Sequence, residues 1–179
     1  MPRLFTGLEI PPDVAFALSL KKGGLPGARW IDKDNYHITL RYVGEVDNRT
    51  AAEIVEALDR FTGFESFVLR LDHLGSFGGN KPRALFAGAE PSAALARLHA
   101  SQERALQQIG LPPDSRKFSP HVTLARLKTT TPGDLARYLE ETPRFVPLSF
   151  SVARFVLFSS RESMGGGPYL VEESYDLAA

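Results

Sequence analysis

Two tetrapeptides constrain this chain more than any other feature: His37-Ile38-Thr39-Leu40 and His121-Val122-Thr123-Leu124, one in each half and 84 residues apart. Val, Ile and Thr favour an extended strand, where successive side chains leave opposite faces. His and Thr of each motif therefore share one face, and the two aliphatic residues share the other. Each motif offers a paired imidazole and hydroxyl with an apolar back. From this chain's own residue frequencies, two of its four histidines starting such a motif has odds on the order of one in 10⁵, weakened about tenfold by strand bias. Coincidence is a poor explanation, and two such pairs point to one shared site.

A length of 179 residues with 43% hydrophobic content suits one domain, 1–179, built as two small lobes around a shared core. Lys and Arg number 21, and so do Asp and Glu, which argues against nonspecific polyanion binding and confines any nucleic acid to a local basic cleft. Without cysteine there is neither a disulfide framework nor a thiolate metal site. The opening MPRLFTGLEIPPD lacks an apolar run with a small-residue cleavage site, and no stretch of about 18 apolar residues occurs elsewhere. The expectation is a cytoplasmic protein without a membrane segment, and, given its neutral charge, a monomer.

Residues 3–10 read as a strand, and Pro11-Pro12-Asp13 opens a helix running to about Lys22. Short strands at 28–30 and 36–43 flank a polar turn, Asp32-Lys33-Asp34-Asn35, and Asn48 or Thr50 caps a helix to about Phe61. Strands at 67–74 and 83–87 follow, joined by an irregular Gly-rich loop over 75–82. A long helix spans Ser92 to Ile109 before Gly110, the second motif strand comes next, and a short helix covers 133–141 behind Thr131-Pro132. Residues 148–158 and 169–177 read as a terminal hairpin across the loop 161–168. Helix, motif strand, helix and strands recur in both halves, which predicts an α+β fold of two pseudo-symmetric lobes of antiparallel sheet with outer helices.

Strand alternation puts Arg41, four residues after His37, on the motif face, whereas Arg126, five after His121, points away unless the strand bulges. Both are candidates to hold an anion beside the histidines, with a surface ion pair as the plain alternative. Trp30, Tyr36, Phe77 and Phe118 lie next to motif segments or loops and are candidates for stacking bases, Phe118 foremost, although most aromatics of a domain belong to its core. His73, between apolar strand residues, and His99, on the flank of a helix, read as structural. A zinc site needs more ligands than His37 and His121 supply and would have to recruit a distant carboxylate such as Asp72. Gly75–Gly79 is not a phosphate loop, since no Gly-Lys-Ser/Thr follows it.

The motifs and their surroundings resemble the 2H phosphoesterase superfamily, and within it the RNA 2′,3′-cyclic phosphodiesterases, also called 2′-5′ RNA ligases. RLFTGLEIP, NYHITLRYVGEV, GSF with KPRALFAG, FSPHVTLARL and the closing FVLFSSRES and GPYLVEESYDL carry the resemblance across nearly the whole chain. The unusual Gly165-Gly166-Gly167 run departs from it. The resemblance implies a two-lobed α+β fold around a central V-shaped cleft, one motif on each wall, and no metal or other cofactor. It implies hydrolysis of an RNA terminal 2′,3′-cyclic phosphate to a 2′-phosphate, with weak reversible 2′-5′ joining in some members. Carried over to this chain, His37 is the proton donor and His121 the proton acceptor, with Thr39 and Thr123 beside them; the motifs alone leave that order open. Two near-neutral imidazoles suit acid and base work at a cyclic phosphodiester, and the hydroxyls suit its non-bridging oxygens. Arg41, Arg126, Phe118 and Tyr36 are the expected substrate contacts.

Overall fold

Apolar periodicity places most elements, but the sheet joins them in an order that the chain does not follow. The computed structural model describes residues 2–61, 63–160 and 167–179. In chain order the elements are β1 (Arg3–Glu9), α1 (Pro12–Ser19), β2 (Ala28–Trp30), a 3₁₀ turn (Lys33–Asn35), β3 (His37–Glu45), α2 (Asn48–Asp59), β4 (Phe67–Phe77), β5 (Ala84–Ala89), α3 (Ala93–Gln108), β6 (His121–Leu127), α4 (Pro132–Glu141), β7 (Leu148–Val152), β8 (Arg154–Ser160) and β9 (Tyr169–Asp176). The strands form one antiparallel sheet in the order β7-β4-β5-β6-β3-β1-β8-β9, with β2 added on β6.

β3 and β6 meet in that sheet through a single pair, Ile38 opposite Val122. On either side of this joint lie four strands in equivalent order, β3-β1-β8-β9 and β6-β5-β4-β7. The lobes are not the two halves of the chain, as the repeat suggests. α1 follows β1 yet packs on β7 of the other lobe, and α3 follows β5 yet packs on β3. The expected hairpin strand at 148–158 is two strands: β7 pairs with β4 in one lobe, and after the single residue Ala153, β8 pairs with β1 in the other. Both lobes therefore need residues from both ends of the chain, and one continuous core runs through them.

Local chemistry accounts for the element ends. Asp47, rather than Asn48 or Thr50, caps α2 by accepting from the Thr50 backbone N–H at 2.7 Å. Ser92 caps α3, and Thr131 with Asp134 forms a reciprocal capping box on α4. α3 buries Leu95, Leu98, Gln102 and Leu106, and the one polar member of this stripe accepts from Thr6 Oγ1 at 2.7 Å. β4 runs on through Gly75 and Ser76 to Phe77, because Gly75 leaves room for the Phe86 ring paired opposite it; the irregular loop is shorter than its composition suggests. Residues 161–166, including Gly165 and Gly166, lie outside the described residues.

Candidate active site

Ile38 and Val122 are fully buried, so their alternation turns His37, Thr39, His121 and Thr123 to the opposite face. Antiparallel register about the joint runs His37 against Thr123 and Thr39 against His121. Beyond the joint the two strands carry the same irregularity. Gly7 and Thr6 of β1 pair with Thr39 and Arg41, skipping Leu40; Phe86 and Leu85 of β5 pair with Thr123 and Ala125, skipping Leu124. One extra residue at the fourth motif position reverses the alternation after it. Arg126 thereby lines the cleft with both histidines and threonines, as does its counterpart Tyr42 in β3.

The same bulge removes Arg41 from the site, which corrects the alternation argument. Arg41 is 5% exposed, lies under α3 and pairs with Glu103. Its Nη2 also donates to the Pro112 carbonyl at 2.5 Å and its Nη1 to the Tyr42 carbonyl at 2.6 Å. Tyr36 and Trp30 are likewise core rather than stacking surfaces. Tyr36 is buried, with its hydroxyl pushed up to about 12 by burial first and by Asp32 next, and Trp30 packs against Tyr138. Phe118 and Phe77 do line the cleft.

Backbone carbonyls orient both imidazoles. His37 Nδ1 lies 2.9 Å from the Asn35 oxygen and His121 Nδ1 lies 2.5 Å from the Ser119 oxygen, two residues upstream in each case. A carbonyl only accepts, so Nδ1 carries the proton and Nε2 of the neutral ring is bare. The Thr39 hydroxyl donates to His37 Nε2 at 3.1 Å. Phe5, Phe158 and Tyr169 surround the His37 ring, and Phe77 and Phe86 the His121 ring. Phe158 and Phe77 hold equivalent places, each opposite the β1 or β5 residue that pairs with the bulged segment.

Burial among these rings pulls the His37 imidazole down to about 4; the Asn35 carbonyl opposes this, and the positive charges of His121 and Arg126 add to it. Burial also lowers His121, against the Ser119 carbonyl, and Arg126 lowers it further. Both rings are neutral at neutral pH in the free protein. The cleft encloses about 660 Å³, and Arg3, Arg83, Arg116 and Lys117 add to Arg126 on its walls.

Segment 111–120 has no regular structure, yet it brings Arg116, Lys117, Phe118 and Ser119 to the cleft. α3 holds it at both ends. Glu103, itself bound to Arg41, accepts from the Asp114 backbone N–H at 2.9 Å, and the His99 ring lies flat on Phe118, centroids 3.9 Å apart and planes 2° from parallel. His99 thus reaches the cleft wall and is more than a helix-flank residue, a role that needs the α3 crossover and leaves no local pattern. His73 instead hydrogen-bonds Asp72 at 2.6 Å and meets the Phe86 ring without lining the cleft itself, and among the described residues no three His, Cys, Asp or Glu side chains converge. Among the described residues, no helix is long and apolar enough to cross a membrane.

Comparison with known proteins agrees with this architecture. Residues 23–163 match the 2′-5′ RNA ligase superfamily. The chain is 32% identical over 176 residues to an RNA 2′,3′-cyclic phosphodiesterase of Thermotoga maritima, covering 94% of this chain and 92% of that one. It is 40% identical over 112 residues to the Aeropyrum pernix protein of the same description, covering 62% of each. A Thermus thermophilus crystal structure superposes with a TM-score of 0.79 at 27% identity, over 98% of this chain and 97% of that one. E. coli LigT, crystallised with 3′-AMP, shares the fold with a TM-score of 0.77 at 23% identity over the full length of both. With both motifs set on equivalent strands of the two lobes, the chain belongs to the 2′-5′ RNA ligase superfamily, the 2H phosphoesterases that its sequence resembles.

Proposed function

We propose that the protein hydrolyses the terminal 2′,3′-cyclic phosphate of RNA to a 2′-phosphate, by acid-base catalysis between His37 and His121 and without a metal. The convergence of two imidazoles with bare Nε2 atoms, two hydroxyls and Arg126 on one cleft carries this reading. In the proposed step His121 Nε2 takes a proton from water, the water oxygen attacks phosphorus, and the ribose 3′-oxygen leaves with a proton from His37 Nε2. Thr39, Thr123 and Arg126 hold the non-bridging oxygens and gain strength as charge builds on phosphorus. His37 must be charged to act as the acid. The bound phosphodiester anion offsets the positive charge of Arg126 and lifts the imidazole toward its ordinary range. The assignment of donor to His37 and acceptor to His121 follows the family pattern.

The test is incubation with a short RNA ending in a 2′,3′-cyclic phosphate in excess EDTA, with products separated against 2′- and 3′-phosphate standards. The wild-type protein releases the 2′-phosphate, and His37→Ala and His121→Ala each lower turnover by roughly 10²–10⁴ while remaining folded. Unchanged turnover in both variants refutes the mechanism, and RNA binding without turnover in the wild type makes the protein a binding module instead.

A further inference from the structure

The cleft holds more positive charge than one cyclic phosphate can use. Arg3, Arg83, Arg116, Lys117 and Arg126 line it, against one carboxylate, Asp114. Arg3 pairs with Glu45 at 3.8 Å, and Arg116 pairs with Asp114 at 3.4 Å while lying over the Tyr42 ring. Arg126 stands beside the two histidines and is matched by the single charge of the reacting phosphodiester. Arg83 and Lys117 remain, with no ion pair or side-chain hydrogen bond among the described residues. The chain as a whole is neutral, 21 cations against 21 carboxylates, so this surplus is a local property of the cleft.

Each spare cation adjoins a cleft-lining aromatic residue along the backbone. The Arg83 backbone N–H donates to the Phe77 carbonyl at 2.7 Å, and Lys117 precedes Phe118, whose ring is backed by His99. Cations and rings lining one cleft suit the phosphates and bases of a single strand. We propose that Arg83 and Lys117 form subsites for backbone phosphates of the strand that ends in the cyclic phosphate, so that the protein acts on oligonucleotides in preference to mononucleotides. The inference rests on the cyclic phosphodiesterase reading and extends it upstream from the reacting nucleotide.

Adenosine 2′,3′-cyclic phosphate, its 5′-phosphorylated form and a tetranucleotide with a cyclic end separate the sources of a second phosphate. At about 50 mM salt the tetranucleotide is expected to have a kcat/KM about tenfold above the mononucleotide. Its plot of log kcat/KM against log salt is steeper by about 1.4, two contacts at about 0.7 each for single strands. In the Arg83→Gln/Lys117→Gln double variant both the preference and the extra slope disappear. Equal values for the three substrates overturn the inference, as does a preference that the double variant keeps. A 5′-phosphorylated mononucleotide that equals the tetranucleotide also overturns it, since one adjacent phosphate would then suffice. Hydrolysis of none of the three by the wild type counts against the phosphodiesterase reading instead. Tetranucleotide binding by fluorescence anisotropy then decides the subsites, and equal affinity of wild type and double variant overturns them.

Discussion

Replacing Glu103 by alanine removes the only carboxylate bonded to the buried Arg41 guanidinium among the described residues and frees the segment that carries Phe118 and Ser119. Arg41 is 6% and Glu103 17% exposed at the side chain, so the charge left behind is cut off from solvent. Removing one partner of a buried pair costs roughly 3–5 kcal/mol, and the lower end applies because Arg41 keeps the carbonyls of Pro112 and Tyr42. About 3 kcal/mol corresponds to a fall in Tm of about 6–12 °C for a chain of this size, which leaves a folded protein at 25 °C. Burial opposes ionisation of Glu103, but hydrogen bonds from Arg41, Gln107 and the Asp114 N–H prevail and hold its carboxyl below the ordinary range. A depressed acid stabilises the fold above its unfolded pKa and loses that contribution as pH falls through the folded value, so the deficit of the variant is constant between pH 6 and 8. The Asp114 tether goes with the carboxylate, and kcat/KM on a cyclic-phosphate RNA falls about tenfold or more as Phe118 and the Ser119 carbonyl lose their place. An Arg41→Met/Glu103→Leu double variant separates the two effects, since an apolar pair of similar volume restores stability without restoring the tether. Denaturation and kinetics on the same preparations decide it. Recovery of Tm together with wild-type kcat/KM refutes the positioning role.

Arg126→Gln removes the charge that lowers both His37 and His121, so both imidazole resonances titrate at higher pH by NMR, the pH-rate profile moves to higher pH, and turnover falls about 10²-fold. Unmoved titrations would place Arg126 away from the rings. Because His37 is lowered from an unfolded value near 6.5 to about 4, the unfolded chain binds its proton first, and stability declines as pH falls from 6.5 toward 4. That decline is about 2 kcal/mol between pH 7 and 4.5 by urea denaturation, and is smaller in His37→Asn; equal declines would refute the assignment. A Cβ on Gly7 would sit 2.6 Å from the Ile38 carbonyl and 3.1 Å from the Phe158 ring, whereas the atoms nearest to one on Gly88 belong to the His73 ring, which is half exposed and can swing out. Gly7→Ala is therefore expected to cost roughly 1–3 kcal/mol and Gly88→Ala less, as read from Tm; the reverse order would contradict the backbone contact at Ile38.

Local order made much of this molecule legible without its structure. The period-2 run after each histidine placed an imidazole and a hydroxyl on one face, because strand alternation is a property of the backbone alone. Caps such as Ser92 and Thr131, and the apolar stripe of α3, are equally local. The fate of Arg41 and Arg126 was not local. Alternation favoured Arg41, and the register of β1 and β5 against the motif strands, skipping Leu40 and Leu124, exchanged the two residues. Nor does chain order show that α1 and α3 cross between lobes or that Ala153 divides two strands of different lobes, since pairing across the sheet depends on which apolar faces can be buried together. The α3 crossover brings His99 against Phe118 and Glu103 against Arg41. The sequence by itself determined that two His-Thr pairs exist and which faces they share; the tertiary structure decided which cation, which rings and which loop stand around them, because those neighbours come from strands and helices distant in the chain.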